Sequence, residues 1–278
     1  MTPELKKELE LLALKIRIGT VEAIKSRGFG HIGGSLSVAD VLAVLYGAVM
    51  NVDPKDPKKP DRDKFVCSKG HAGPAVYAAL ALKGYFPYEE LKTLNQPGTK
   101  FPSHCDRNKT VGIDMTTGSL GQGTSLAVGM AAGDRLLGIN AKTYLLVGDG
   151  EANEGQISEA AMFTAAKKIT NLIWLIDWNK KQLDGYTKDI LDPFDFEEKF
   201  RAFGFDAVTV DGNDVEQVYD VLTRPIGDKP IAIILDTVKG KGVPEVEETP
   251  GNHSMTVSAE VFDGWLDGLY KKLEALEA

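Results

Sequence analysis

Three apolar runs between residues 143 and 238 constrain this chain more than any other feature. "TYLLV", "NLIWLID" and "IAIILDTV" read as short strands, the first two buried on both faces. Helical stretches separate them: "EGQISEAAMFTAAKKI", "DFEEKFRAFG" and "DVEQVYDVLT", with a further strand at "DAVTV". Upstream, "KFVCS" is a short strand, and "GPAVYAALALKGY" and "LGQGTSLAVGMAAGDRLLG" are helices. Strands that alternate with helices imply an α/β fold, a parallel β-sheet with helices on both faces. Leu5, Leu9, Leu12, Ile16 and Ala23 fall near helical spacing and predict an amphipathic helix over residues 3–26. "SLSVADVLAVLYGAVM" predicts a second helix, with Ser37 and Asp40 placed as a capping box. "SAEVFDGWLDGLYKKLEALE" predicts a closing helix. No internal repeat or low-complexity linker divides the chain, so residues 1–278 are expected to form one domain.

A net charge of −8 argues against a nucleic-acid or anionic-membrane surface. Cys67 and Cys105 have no metal-type spacing and are expected to be reduced thiols. The N-terminus alternates charged and apolar residues, unlike a signal peptide, and no apolar run approaches membrane-spanning length. The expected location is the cytoplasm.

Ligands of such sheets bind beyond the carboxyl ends of the strands. Asp149 lies just past "TYLLV", between two glycines, and Asn179 lies just past "NLIWLID". One helical crossover separates the two strands, so the side chains are expected to face each other across a small gap. A carboxylate, an amide oxygen and a backbone carbonyl make a half-shell of hard oxygen ligands, suited to Mg²⁺ or Ca²⁺ with phosphate oxygens and water completing it. The blander reading is a turn residue in each case.

"GDG" followed by a later Asn resembles the thiamine-diphosphate signature. "GHIGGSLS", "KFVCSKGHA", "VGIDMTTGSLGQG", "GDGEANEGQISEA", "LIDWNKKQLDG" and "DTVKGKGVPEVEETPGNHS", in this order, resemble the N-terminal half of transketolase over nearly the whole chain. The resemblance implies thiamine diphosphate as cofactor. It implies Asp149 and Asn179 as side-chain metal ligands and Lys181 as the residue offering its carbonyl. Gly150 would lend its amide to the diphosphate, and His71 would bind the same group. His253 would touch diphosphate and substrate, and His31 and His104 would line the substrate channel. Gly118 and Leu120 would contact the cofactor rings, with Leu183 under the thiazolium. Glu154 would sit at a subunit contact. His31, His104 and His253 are the implied proton carriers.

All four histidines of the chain fall at positions the resemblance implicates, three within the quoted motifs and His104 in "FPSHCD", which chance placement explains poorly. Three departures stand out: His31-Ile32-Gly33 where many transketolases have His-Pro-Gly, Gly118-Ser119-Leu120 where they have Gly-Pro-Leu, and "PSHCD" around His104. No segment corresponds to the family's second domain, which supplies the glutamate and aromatic pocket for the pyrimidine ring. The expectation is the pyrophosphate-domain subunit of a split transketolase, paired with a C-terminal chain, two copies of each, and acting on sugars or sugar phosphates. Rival readings are the decarboxylase subunit of a 2-oxo acid dehydrogenase, a non-catalytic cofactor-binding subunit, and a dinucleotide enzyme using "GFGHIG".

Overall fold

The computed structural model describes residues 1–278. Its strands are β1 (Phe29–Gly30), β2 (Lys64–Cys67), β3 (Thr143–Gly148), β4 (Leu172–Trp178), β5 (Asp206–Asp211), β6 (Ile231–Asp236) and β7 (Met255–Thr256). Five of them form one parallel sheet in the order β2-β3-β4-β6-β5. β1 and β7 pair antiparallel in a separate two-stranded ribbon.

The apolar runs are continuous because alternate residues feed two cores. Along β4, Ile173 and Leu175 point into one, while Leu172, Trp174 and Ile176 point into the other. The larger core lies against the helices Pro3–Lys25, Ala39–Val44 and Gly73–Lys83, the smaller one against Gln122–Leu136, Gly155–Ala166 and Phe196–Phe203. Helices on both faces leave no polar side to the sheet, as expected of parallel strands. The first helix starts where Thr2 accepts a hydrogen bond from the Leu5 amide and Pro3 occupies the first turn. No helix is long and apolar enough to cross a membrane.

Two expectations fail locally. The helix expected over residues 35–50 is broken into Gly33–Leu36, Ala39–Val44 and a π-helical turn at Leu45–Val49. Its capping box does not form: the Ser37 hydroxyl donates to the buried Asp177 carboxylate (2.9 Å), and Asp40 is held by Arg17 and by Asn213 Nδ2 (2.8 Å). Charged partners in the interior displace a local backbone amide as the partner of these side chains. The dinucleotide reading of "GFGHIG" also fails. Phe29–Gly30 pairs with Met255–Thr256 rather than entering a parallel β-α-β unit, and only a four-residue helix follows.

Candidate active site

The carboxyl ends of β2, β3, β4 and β6 converge on one cavity of about 410 Å³. Register places Gly148 opposite Asp177, so Asp149 emerges beside the end of β4, and its amide donates to the Asp177 carbonyl (3.2 Å). Asp149 is 2% exposed. Its Oδ1 accepts from the Gly150 amide (2.8 Å), whereas its Oδ2 is buried with no partner at all. Burial, with the neighbouring Asp177 charge adding to it, pushes its pKa up to about 7.

Asn179 is also buried. Its Nδ2 donates to Asp177 (2.8 Å), which fixes the amide and leaves Oδ1 free to accept from the Lys181 amide (3.2 Å). The backbone turns at Lys180 with φ of 65°. The Lys181 carbonyl receives Lys239 Nζ (2.9 Å). The donor set available to a cation is thus all oxygen, with one carboxylate oxygen lacking any partner. No three His, Cys, Asp or Glu side chains are placed to hold one metal ion between them, so side chains of these types alone do not make a complete ligand shell. Residues of this kind fit a hard divalent ion.

Beneath this set lies a buried ion pair that the sequence motifs do not single out. Lys69 Nζ bonds the Asp177 carboxylate, with the two side chains 1% and 0% exposed. Asp177 accepts further hydrogen bonds from Ser37, Asn179 and Thr237. Burial alone would raise its pKa, but the Lys69 charge and these donors hold it below the usual carboxylate range. Lys239 is the second cation missed. Desolvation, and repulsion from Lys69, lower its pKa to about 8. Glu151 is the third omission: it accepts from Ser68 Oγ (2.6 Å), the Gly121 amide (2.9 Å) and the Gly148 amide (3.1 Å), locking three loops around the cavity. The signal was present in each case, a charged residue ending or interrupting an apolar strand ("VCSKG", "WLIDW", "DTVKG") or directly following the Gly-Asp-Gly turn.

The four histidines, far apart in sequence, form one cluster. Ring centroids lie 4.5 Å apart for His71 and His253, 5.3 Å for His31 and His253, 5.2 Å for His31 and His104, and 5.7 Å for His31 and His71. Burial is the main cause of depressed pKa values throughout, aided by neighbouring imidazoles and by Lys239: His31 falls to about 4 and His253 to about 3. His71 lies well below its ordinary value and His104 is lowered by burial. At neutral pH each ring is uncharged, with one N–H to donate and one lone pair to accept.

Gly118 sits against His104 at φ of 134°, and a Cβ there would lie 2.8 Å from the ring. A Cβ on Gly150 would lie 2.8 Å from Gln182, so this turn closes only around glycine. Leu120 and Leu183 stand exposed at the cavity rim, Leu183 at 64%. Glu154 lies on the same rim and opens the helix Gly155–Ala166. Asp149, Gly150, Asn179, Lys181, His71, His104, Gly118, Leu120, Leu183, Glu154 and His253 all line the cavity, and His31 packs on three of the lining imidazoles.

Residues 9–263 match the family model for the transketolase thiamine diphosphate binding domain. The class is therefore a thiamine-diphosphate-binding α/β domain, and the chain belongs to the transketolase family. It is 48% identical over 267 residues to the 6-deoxy-6-sulfo-D-fructose transketolase subunit SqwG of Clostridium sp. (strain MSTE9), covering 95% of this chain and 97% of that one. Identity is 41% to an apulose-4-phosphate transketolase subunit of Actinobacillus succinogenes, over 90% of both chains. Among solved structures, transketolase from Leishmania mexicana superimposes with a TM-score of 0.83 at 27% identity, over 97% of this chain and 46% of its own. The chain thus spans less than half the length of the solved transketolases, but nearly all of relatives that are single subunits. It is a transketolase subunit, which removes the decarboxylase alternative.

Proposed function

We propose that this chain, as one domain, holds thiamine diphosphate through a divalent cation and, completed by a second chain, transfers a two-carbon ketol unit from a ketose to an aldose in the cytoplasm. The observation that carries the site reading is the buried, partnerless Oδ2 of Asp149, in the same cavity as Asn179 at the carboxyl edge of the sheet. Asp149, Asn179 and the Lys181 carbonyl would hold Mg²⁺, with Ca²⁺ as a substitute. His71, His253, Lys69 and Lys239 line the cavity beside them and would receive the diphosphate. Leu120, Leu183 and Gly118 would flank the rings. When bound, thiamine diphosphate supplies the carbon nucleophile and electron sink of the reaction.

The protein's share is positioning and proton handling. Neutral imidazoles of His31, His104 and His253 can donate to a substrate hydroxyl through N–H and accept its proton through the other nitrogen. Each is expected to matter by about 10²–10⁴-fold if it moves a proton in the transition state. Water exclusion and the group that activates the pyrimidine fall to the partner, whose contact surface would include Glu154, with two copies of each chain. The relatives named for a sulfonated ketose and for a sugar phosphate favour a donor with an anionic group at its far end, and the 48% identity favours the sulfonate form over the phosphate.

The test is reconstitution. The purified chain with thiamine diphosphate and Mg²⁺ should show no turnover, and co-expression with a pyrimidine-domain chain should restore it. Assays with 6-deoxy-6-sulfofructose and with fructose 6-phosphate would rank the donors. Robust turnover by the chain alone, or full activity of a reconstituted pair carrying Asp149→Asn, would count against the reading.

A further inference from the structure

His31 and His253 meet although more than two hundred residues separate them in sequence. The β1–β7 ribbon joins their loops on one side, through Gly30 opposite Met255. On the other side stands Asn252, the residue before His253. It is fully buried. Its Nδ2 donates to the carbonyls of Lys239 (3.2 Å) and Val246 (2.7 Å), so both amide protons are used inside one loop. Its own carbonyl accepts from the Gly33 amide (3.0 Å), two residues after His31. The Gly33 carbonyl in turn accepts from the Gly240 amide (2.9 Å), next to Lys239. Contact is so close that a Cβ on Gly33 would lie 2.4 Å from the Asn252 carbonyl oxygen and 3.0 Å from its Cγ.

Nothing about packing alone calls for an asparagine here. Its Oδ1 is buried without a partner, a cost that a leucine, branched in the same way, would not carry. What leucine lacks is the pair of donors, and both donors end on the segment that carries Lys239.

We propose that Asn252 is a positioning residue: its amide and backbone carbonyl tie the loop bearing Lys239 and His253 to the turn bearing His31, so that these groups are set before the diphosphate arrives. The proposal rests on the cofactor reading above. Its physical basis is preorganisation. A loop ordered in advance loses less entropy when an anion binds, and the gain appears as affinity. Asn252 acts here without touching cofactor or substrate.

The test uses the full chain labelled with ¹⁵N-histidine, whose four imidazoles report only on this cluster. Wild type should show a cross-relaxation peak between the His31 and His253 rings, at their 5.3 Å separation, without any ligand present. Asn252→Leu should lose that peak while keeping the cooperative unfolding of the remaining chain. Its affinity for magnesium pyrophosphate, measured by calorimetry, should fall at least tenfold. Gly33→Ala attacks the same contact from the opposite loop and should reproduce both effects, and Asn252→Gln, which retains the donors, should recover part of the affinity. A folded Asn252→Leu chain with an intact cross-peak and wild-type affinity would overturn the proposal. Should neither variant fold, hydrogen exchange in wild type decides: the Gly33 and Gly240 amides must exchange as slowly as the sheet, and exchange at open-loop rates sinks the idea. If wild type itself fails to bind magnesium pyrophosphate, the cofactor reading falls, while the cross-peak and exchange results still judge the strap.

Discussion

Removing Lys69 tests the electrostatic core of the site most directly. Lys69→Met keeps the unbranched shape and nearly the volume of the side chain and deletes the charged terminal nitrogen with its donors. Asp177 would then remain a fully buried carboxylate with neutral donors from Ser37, Asn179 and Thr237. Breaking a buried pair by deleting one partner costs about 3–5 kcal/mol, because the remaining charge has lost both water and its counter-ion. An exposed pair would cost about 0–1 kcal/mol. Both side chains are at most 1% exposed, so the larger figure applies. Against a total stability of about 5–15 kcal/mol, the loss is a large fraction. At about 2–4 °C per kcal/mol for a chain near this size, the melting temperature should drop by roughly 6–20 °C. The assay is urea and thermal unfolding of the isolated chain followed by circular dichroism, completed as a cycle with Asp177→Asn and the double variant. With no unbalanced charge left, the double variant should be more stable than the two single losses added together. A Lys69→Met loss below about 1 kcal/mol, or strict additivity in the cycle, would refute the view of Lys69–Asp177 as a desolvated, mutually dependent pair.

Other outcomes follow from the same geometry. Asp149→Asn should raise the stability of the ligand-free chain by about 1–3 kcal/mol, since it removes a buried carboxylate charge that faces the charge of Asp177, and should abolish stabilisation by Mg²⁺ with thiamine diphosphate; thermal shift with and without ligands reads both. Asp177→Asn should weaken cation binding about 10–100-fold although Asp177 is no ligand, because the neutral amide left there is a weaker acceptor for the Asn179 amide that it orients; Mn²⁺ titration by electron paramagnetic resonance measures it. Acid should destabilise the chain through its histidines. Their folded-state pKa values lie below the unfolded value near 6.5, so below that pH the unfolded chain binds protons that the folded chain refuses. Stability should therefore decline as pH falls from about 6.5 toward about 4, less steeply than full burial would give because His31 and His253 are partly solvated, and His71→Asn should flatten the curve.

The sheet was legible because continuous apolar runs have few alternatives in a chain of this composition, and because a run buried on both faces requires helices above and below it. Asp149 and Asn179 were legible too, since a parallel sheet brings the ends of neighbouring strands together whatever fills its loops. The Ser37–Asp40 cap failed for the opposite reason. Its local pattern was sound, but Asp177 and Arg17, distant in sequence, offered those side chains stronger partners. Lys69 and Lys239 lie inside the motifs, and their local mark, a charge just past an apolar strand, is a weak one, because a lysine in a glycine-rich loop is ordinarily solvated.

The sequence by itself determined the layered α/β architecture, the oxygen-bearing side chains at the strand ends and the set of histidines, all of which follow from periodicity and residue chemistry along short stretches. Only the tertiary structure decided that Lys69 neutralises Asp177, that Asp149 Oδ2 has no partner, that four imidazoles pack into one uncharged cluster and that Asn252 ties two loops together. These depend on desolvation and on contacts between distant segments. Both quantities come into being only when the chain closes on itself and excludes water.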